Sequence, residues 1–258
     1  MTEHNKVVQE INLSNEAITS YQEDGYLVIP NFIEKSKIAP LAEEIFHALE
    51  IQLGVKREAL FQATNTSDKL RQCQGYLKDS LMDSLINSDN TLSVASQLIG
   101  GRAVRYLPFT AVKAGGGGGQ FHFHQDNNYT RHQPALGSLN IWVALSDMSV
   151  ENGCLRVAPA SHKLGQLASV NAGEDQHLKV KDDPEEYTSL AVNAGDAIAF
   201  TRLTVHGSGP NHTTQPRVAY ALQYHRDDVK YLDNDTGEWK LLVEEPRFQT
   251  PPLVSLIP

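Results

Sequence analysis

Cysteine is scarce in this chain, with two in 258 residues, and so are methionine (3) and tryptophan (2). Cys73 and Cys154 form no C-x-x-C pair, which removes a cysteine-based zinc cluster and a disulfide scaffold as organising principles. The expected state is two reduced, buried thiols in a cytosolic protein. Positive charge is in deficit, 22 Lys and Arg against 31 Asp and Glu, for a net charge of -9. A nucleic-acid binder normally carries a basic face, so that class is excluded. Long hydrophobic runs are missing, and with them a membrane-spanning helix. The N-terminus, Met1 to Asn5, is polar and lacks the basic and apolar regions of a signal peptide. Gly115 to Gly119 form an unbroken run, yet neither a G-K-[ST] ending nor a helical pattern follows. A phosphate loop is therefore excluded, and the run is expected to be a flexible hairpin connection. The chain is expected to be soluble and cytoplasmic, one domain over 1–258, with no nucleic-acid or membrane partner.

What is present falls into two halves. Ser14 is placed to cap a short helix that stops at Gly25, and Tyr26 to Ile29 read as a strand ended by Pro30. Between Ser36 and Leu53 the residues Ile38, Leu41, Ala42, Ile45, Leu49 and Leu53 form one apolar stripe, with Gly54 to terminate the helix. Helical patterning returns from Ser80 to Leu98. Beyond Gly101 the pattern becomes one of short strands: 103–114, 120–124, 139–145, 154–158, 189–192, 196–202 and 218–224. Turns are expected at 151–153, 193–196 and 207–210. A helical region over about 14–100 followed by many strands over about 103–226 suggests a mainly β fold with flanking helices, a jelly roll of the cupin type. The polar stretch 163–187 is expected to be a cover over a site or a surface loop, with 55–78 the other candidate for a lid, and 227–258 a tail.

The chemistry concentrates at Phe121-His122-Phe123-His124-Gln125-Asp126 and, eighty residues beyond Asp126, at His206. Side chains at i and i+2 of a strand share a face, so His122, His124 and Asp126 have one parity. Two histidines and one carboxylate make a facial site for Fe(II) with positions left open, and that composition favours His124 and Asp126 with His206 over the pair His122 and His124. In Arg217 to Tyr224, alternation sets Arg217, Ala219, Ala221 and Gln223 on one face and Val218, Tyr220, Leu222 and Tyr224 on the other. An arginine beside two alanines leaves room and a fork of donors for a carboxylate, and Ser208 could add another donor. Trp142 shares a face with Asn140 and Ala144. The remaining histidines have no paired spacing.

These motifs, with Glu151-Asn152-Gly153-Cys154-Leu155-Arg156-Val157, Ser161-His162-Lys163, Ala194-Gly195-Asp196, His206-Gly207-Ser208-Gly209 and the opening Tyr21 to Ile29, resemble the phytanoyl-CoA dioxygenase family over residues 16 to 226. The resemblance implies a double-stranded β-helix and an Fe(II)- and 2-oxoglutarate-dependent dioxygenase using O2. It implies iron on His124, Asp126 and His206, the distal carboxylate of 2-oxoglutarate on Arg217 and Ser208, and Trp142 lining the cosubstrate pocket. Halogenating relatives replace the metal-binding carboxylate with a small residue, so Asp126 favours hydroxylation; desaturation, epoxidation and ring formation use the same site. Phe121, Asn127, Asn128 and Tyr129, with Gln72 and Gln74, are the candidate substrate contacts. Their polar and aromatic character points to a small polar metabolite or natural-product intermediate. The competing class is a non-catalytic cupin-like binding module, which would have no need of Arg217 and Ser208.

Overall fold

The computed structural model describes residues 6–63, 78–173 and 177–243. Helix α1 (Asn15–Asp24) starts where the Ser14 hydroxyl accepts from the Ala17 N–H, and ends where Gly25 turns left-handed at φ 80°. Strand β1 (Tyr26–Ile29) follows, then α2 (Lys35–Leu53), which Gly54 terminates. The helical pattern expected over 80–98 is two helices, α3 (Leu81–Ile86) and α4 (Asp89–Ile99). The break falls at Asn87-Ser88, where short polar side chains compete for backbone groups. Asn87 donates from its amide to the Asp83 carbonyl, and Thr91 donates to the Leu85 carbonyl.

Fourteen further strands follow, β2 (Ala103–Arg105), β3 (Phe109–Thr110), β4 (Phe121–His124), β5 (His132–Gln133), β6 (Ser138–Ala144), β7 (Leu155–Val157), β8 (Ser169–Asn171), β9 (Leu178–Val180), β10 (Thr188–Leu190), β11 (Ala197–Thr201), β12 (His206–Ser208), β13 (Ala219–Arg226), β14 (Lys230–Leu232) and β15 (Trp239–Leu241). The larger sheet runs β1-β11-β6-β13-β2, with β3 also on β13; the smaller runs β10-β7-β12-β4. All pairings are antiparallel. The single strand expected over 103–114 is interrupted at Leu107-Pro108, because proline has no N–H to give the ladder.

Alternation along the larger sheet assigns its two faces. Leu139, Ile141 and Val143 of β6 and Tyr220, Leu222 and Tyr224 of β13 join the helices in one buried cluster. Trp142, Ala144, Ile198, Phe200, Ala219 and Ala221 face the other way and meet Leu155 and Val157 of the smaller sheet. The helices thus cover the outside of the larger sheet, and the site lies between the two sheets. Tyr224 also ties the layers by donating to the Ile86 carbonyl, 2.9 Å away, at the open end of α3.

Three expectations are corrected. Residues 206–208 are a strand paired on both sides, to β4 and β7, and not part of a turn. Gly207 serves close approach there, since a Cβ would lie 2.9 Å from the Phe121 carbonyl oxygen. The glycine run is laced into its surroundings: Gly115 donates to Leu60 O, Gly116 to Thr213 O and Gly117 to Asn211 O. The stretch 163–187, read as a cover or a surface loop, contains the hairpin β8–β9, and 227–258, read as a tail, contains the hairpin β14–β15.

Candidate active site

β4 and β12 run side by side, and together they deliver the histidines. His206 pairs with His124 and Ser208 with Phe121, so β4 carries one extra residue relative to β12. Such a bulge re-aims side chains. Phe121 and His124, three residues apart, both line one cavity, whereas His122, the rival by parity, does not. Asp126 is not in the strand; it opens a 3-10 turn over Asp126–Asn128. Gln125, fully buried between the two ligand candidates, fixes that turn by donating to Leu203 O and Gly165 O and accepting from the Leu167 N–H.

The three side chains converge. Asp126 Oδ1 lies 3.8 Å from His124 Nε2 and 3.7 Å from His206 Nε2, and the three candidate ligand atoms fall within 4.8 Å of one another. Each imidazole is oriented by a backbone carbonyl two residues back: His124 Nδ1 contacts His122 O at 2.8 Å and His206 Nδ1 contacts Thr204 O at 2.9 Å. A carbonyl only accepts, so both rings carry their proton on Nδ1 and present an Nε2 lone pair to the same point. Burial, reinforced by His206, pushes His124 down to about 3, which keeps it neutral. Burial opposes ionisation of Asp126, but His206, Arg202 and His124 outweigh it and hold its pKa below the ordinary value. Two imidazoles and one carboxylate, open to a cavity, fit a divalent facial-triad metal.

That cavity has a volume of about 480 Å³. At one end the Arg217 guanidinium lies over the Trp142 ring, its Cζ 5.1 Å from the ring centroid. Its two terminal nitrogens donate to the carbonyls of Gly153 (2.8 Å) and Ala111 (2.7 Å). Among the described residues no carboxylate pairs with it. Burial lowers its pKa to about 9, so it stays charged at neutral pH. Ser208 lines the same cavity.

Two buried cations escaped the sequence reading. Lys113 donates from Nζ to Ser208 Oγ at 2.7 Å and also to the Gly209 carbonyl. Arg202 donates to the carbonyls of Asp126 (2.9 Å) and Thr130 (3.1 Å) and to Gln223 Oε1 (3.3 Å). A lone cation within or at the end of an apolar strand run, as in Phe109-Thr110-Ala111-Val112-Lys113 or Ala197-Ile198-Ala199-Phe200-Thr201-Arg202, was the available signal.

Of the expected substrate contacts, Phe121 and Tyr129 line the cavity. Asn127 and Asn128 do not: Asn127 donates to Gln166 Oε1 and accepts from the His132 N–H, while Asn128 accepts from Gln166. They brace the turn instead. Gln72 and Gln74 lie outside the described residues, as does Cys73; Cys154 is a free, buried thiol whose pKa burial raises.

The model of the family described as phytanoyl-CoA dioxygenase matches residues 21–219. An ectoine dioxygenase of Bordetella parapertussis is 23% identical, over 82% of this chain and 75% of its own. A phytanoyl-CoA dioxygenase of Arabidopsis thaliana is 30% identical, over 67% of this chain and 62% of its own. The crystal structure of EctD from S. alaskensis with 2-oxoglutarate and 5-hydroxyectoine superposes with a TM-score of 0.66 at 20% identity, covering 91% of this chain and 82% of that one. Fold and site together define an Fe(II)- and 2-oxoglutarate-dependent oxygenase, built on a cupin-like jelly roll. The chain belongs to the phytanoyl-CoA dioxygenase family. No described helix is long and apolar enough to cross a membrane.

Proposed function

We propose that this protein hydroxylates a small polar metabolite, consuming O2 and 2-oxoglutarate and releasing succinate and CO2. The observation that carries the reading is Asp126, whose Oδ1 sits 3.7 and 3.8 Å from two Nε2 atoms at the cavity wall. A carboxylate at that place completes a 2-His-1-carboxylate set and occupies the position that a halide would take.

His124, Asp126 and His206 would hold the metal. Iron held there, with cosubstrate and O2, would supply the oxidant for hydroxylation of a substrate C–H. The protein's part is positioning and shielding. Arg217 offers the cosubstrate's distal carboxylate a fixed charge at a buried site, where charge-assisted hydrogen bonds are strong. Ser208 adds a hydroxyl, and Lys113 decides its direction: an ammonium has only donors, so Ser208 Oγ accepts from it and aims its own O–H elsewhere. Trp142 supports the Arg217 guanidinium from its ring face. A cavity of about 480 Å³ that must take the cosubstrate as well suits a small substrate, since pockets for one drug-sized ligand run from ~300 to ~1,000 Å³. Phe121 and Tyr129 are the proposed substrate contacts on the metal side.

The test is aerobic turnover with Fe(II) and 2-oxoglutarate against a set of small polar metabolites, reading succinate and product mass together. Hydroxylation gives a product one oxygen atom heavier. Loss of two hydrogens with equal succinate would replace it with desaturation.

A further inference from the structure

We propose that the primary substrate carries a carboxylate, and that Arg202 and Gln223 receive it; the inference rests on the oxygenase reading of the same cavity. Three observations converge on it.

The first is distance. Arg217 and Gln223 lie on the inner face of one extended segment, six residues apart, roughly 20 Å along a strand. Both line the cavity, with Ala219 and Ala221 between them opening space. A five-carbon diacid anchored at the metal and at Arg217 does not span that length. Gln223 and its partner Arg202 are left for a different ligand.

The second is charge. Among the described side chains that line the cavity, Asp126, Arg202 and Arg217 carry fixed charge. Of the groups in the cavity, a divalent metal, the Asp126 carboxylate, a dianionic cosubstrate and the Arg217 guanidinium sum to zero, and Lys113 behind Ser208 adds a further positive charge. Arg202 then remains a buried cation, 3% exposed, whose partners are carbonyl oxygens and no anion beyond the metal's own ligand. A buried charge without a counter-charge is costly, and one carboxylate from the substrate supplies it.

The third is orientation. Gln223 Oε1 accepts from Arg202, which leaves the amide N–H groups of Gln223 as donors at the cavity wall. Tyr106, whose ring lies 5.7 Å from the Arg202 Cζ, closes the same corner. A carboxylate entering there meets a guanidinium field and a primary amide donor, next to the carbonyl end of the turn that holds Asp126.

Matched pairs test this: small free amino and imino acids, L-proline among them, against the same compounds as carboxamides. Binding is measured anaerobically by calorimetry to the Mn(II)- and 2-oxoglutarate-loaded full chain. At least one acid is expected to bind tenfold or more tightly than its amide. Gln223→Glu, which places an anion beside Arg202 without altering the Asp126 turn, is expected to erase that preference; Arg202→Gln should do the same. Acids that bind no better than their amides throughout the set, or an acid preference intact in both variants, would overturn the proposal. Titration of 2-oxoglutarate in each protein separates the two levels. Weak cosubstrate binding by the unaltered chain counts against the oxygenase assignment, whereas normal cosubstrate binding without acid preference counts against Arg202 alone.

Discussion

Lys113 and Ser208 are joined by a 2.7 Å hydrogen bond between two buried side chains, Nζ donating to Oγ. The lysine is itself held by packing: Gly119, at φ +78°, would place a Cβ 2.8 Å from Lys113 Cγ. The end of the glycine run therefore shapes the Ser208 end of the cavity through one side chain.

Replacing that side chain separates orientation from presence. Lys113→Met keeps length and apolar packing but frees the Ser208 hydroxyl to turn. We expect 2-oxoglutarate to bind about tenfold more weakly, ~1.4 kcal/mol, the scale of a hydrogen bond to a charged group. Calorimetry on the Mn(II)-loaded protein measures it, and an unchanged Kd removes Lys113 from the cosubstrate end.

Arg217→Ala removes the charge itself. The expected rise in the 2-oxoglutarate Kd is larger, about a hundredfold or ~3 kcal/mol, with metal affinity kept because Arg217 touches none of the three convergent side chains. An unaltered cosubstrate requirement in steady-state assays would place the distal carboxylate elsewhere.

Much of this site was legible before any fold was known. The alternation Arg217-Ala219-Ala221-Gln223 against Val218-Tyr220-Leu222-Tyr224 is a property of the strand alone, and the structure keeps it. His124, Asp126 and His206 were legible as a composition, two imidazoles and an acid. Their geometry was not: Asp126 reaches the metal point from a 3-10 turn, and the bulge in β4 exchanges Phe121 for His122 at the cavity. Bulges arise from pairing with a distant strand, which local parity cannot contain. Gly207 was misread as a turn residue for the same reason, since its closest neighbours come from β4. Lys113 and Arg202 escaped notice because single cations are usually solvated, and only tertiary burial shows otherwise.

Gly207 offers a sharper test of that geometry. In Gly207→Ala the new methyl would meet Phe121 O at 2.9 Å and the backbone of His122 and Phe123 at 3.1 Å. Backbone cannot yield as a side-chain tip can, so β12 should part from β4, with a loss of about 1–3 kcal/mol from overpacking. We expect a lowered Tm together with weakened metal binding. A variant that binds metal normally would mean the strand contact does not set the histidine positions.

Acid should destabilise the metal-free protein, and His132 is one cause. Burial, with Arg202 and His225 adding to it, pushes its pKa down to about 2, against ~6.5 in an unfolded chain. The unfolded state therefore binds this proton first. Stability is fully present above pH ~6.5 and falls as pH drops toward 2, by up to ~1.4 kcal/mol per pH unit. Denaturant midpoints between pH 7 and 5 should fall, and His132→Gln should flatten that slope by about one proton. An equally steep slope in the variant would assign the acid sensitivity to other groups.

The central claim is that one metal point, made by His124, Asp126 and His206, shares its cavity with a cosubstrate clamp at Arg217. Its most direct test is anaerobic addition of Fe(II) and 2-oxoglutarate to the metal-free protein, watching for the visible metal-to-ligand charge-transfer band of a chelated 2-oxo acid. No substrate is needed. The band is expected in the unaltered protein, lost in Asp126→Ala, and shifted to much higher 2-oxoglutarate concentration in Arg217→Ala. Iron demonstrably bound with no band at saturating 2-oxoglutarate would contradict the account.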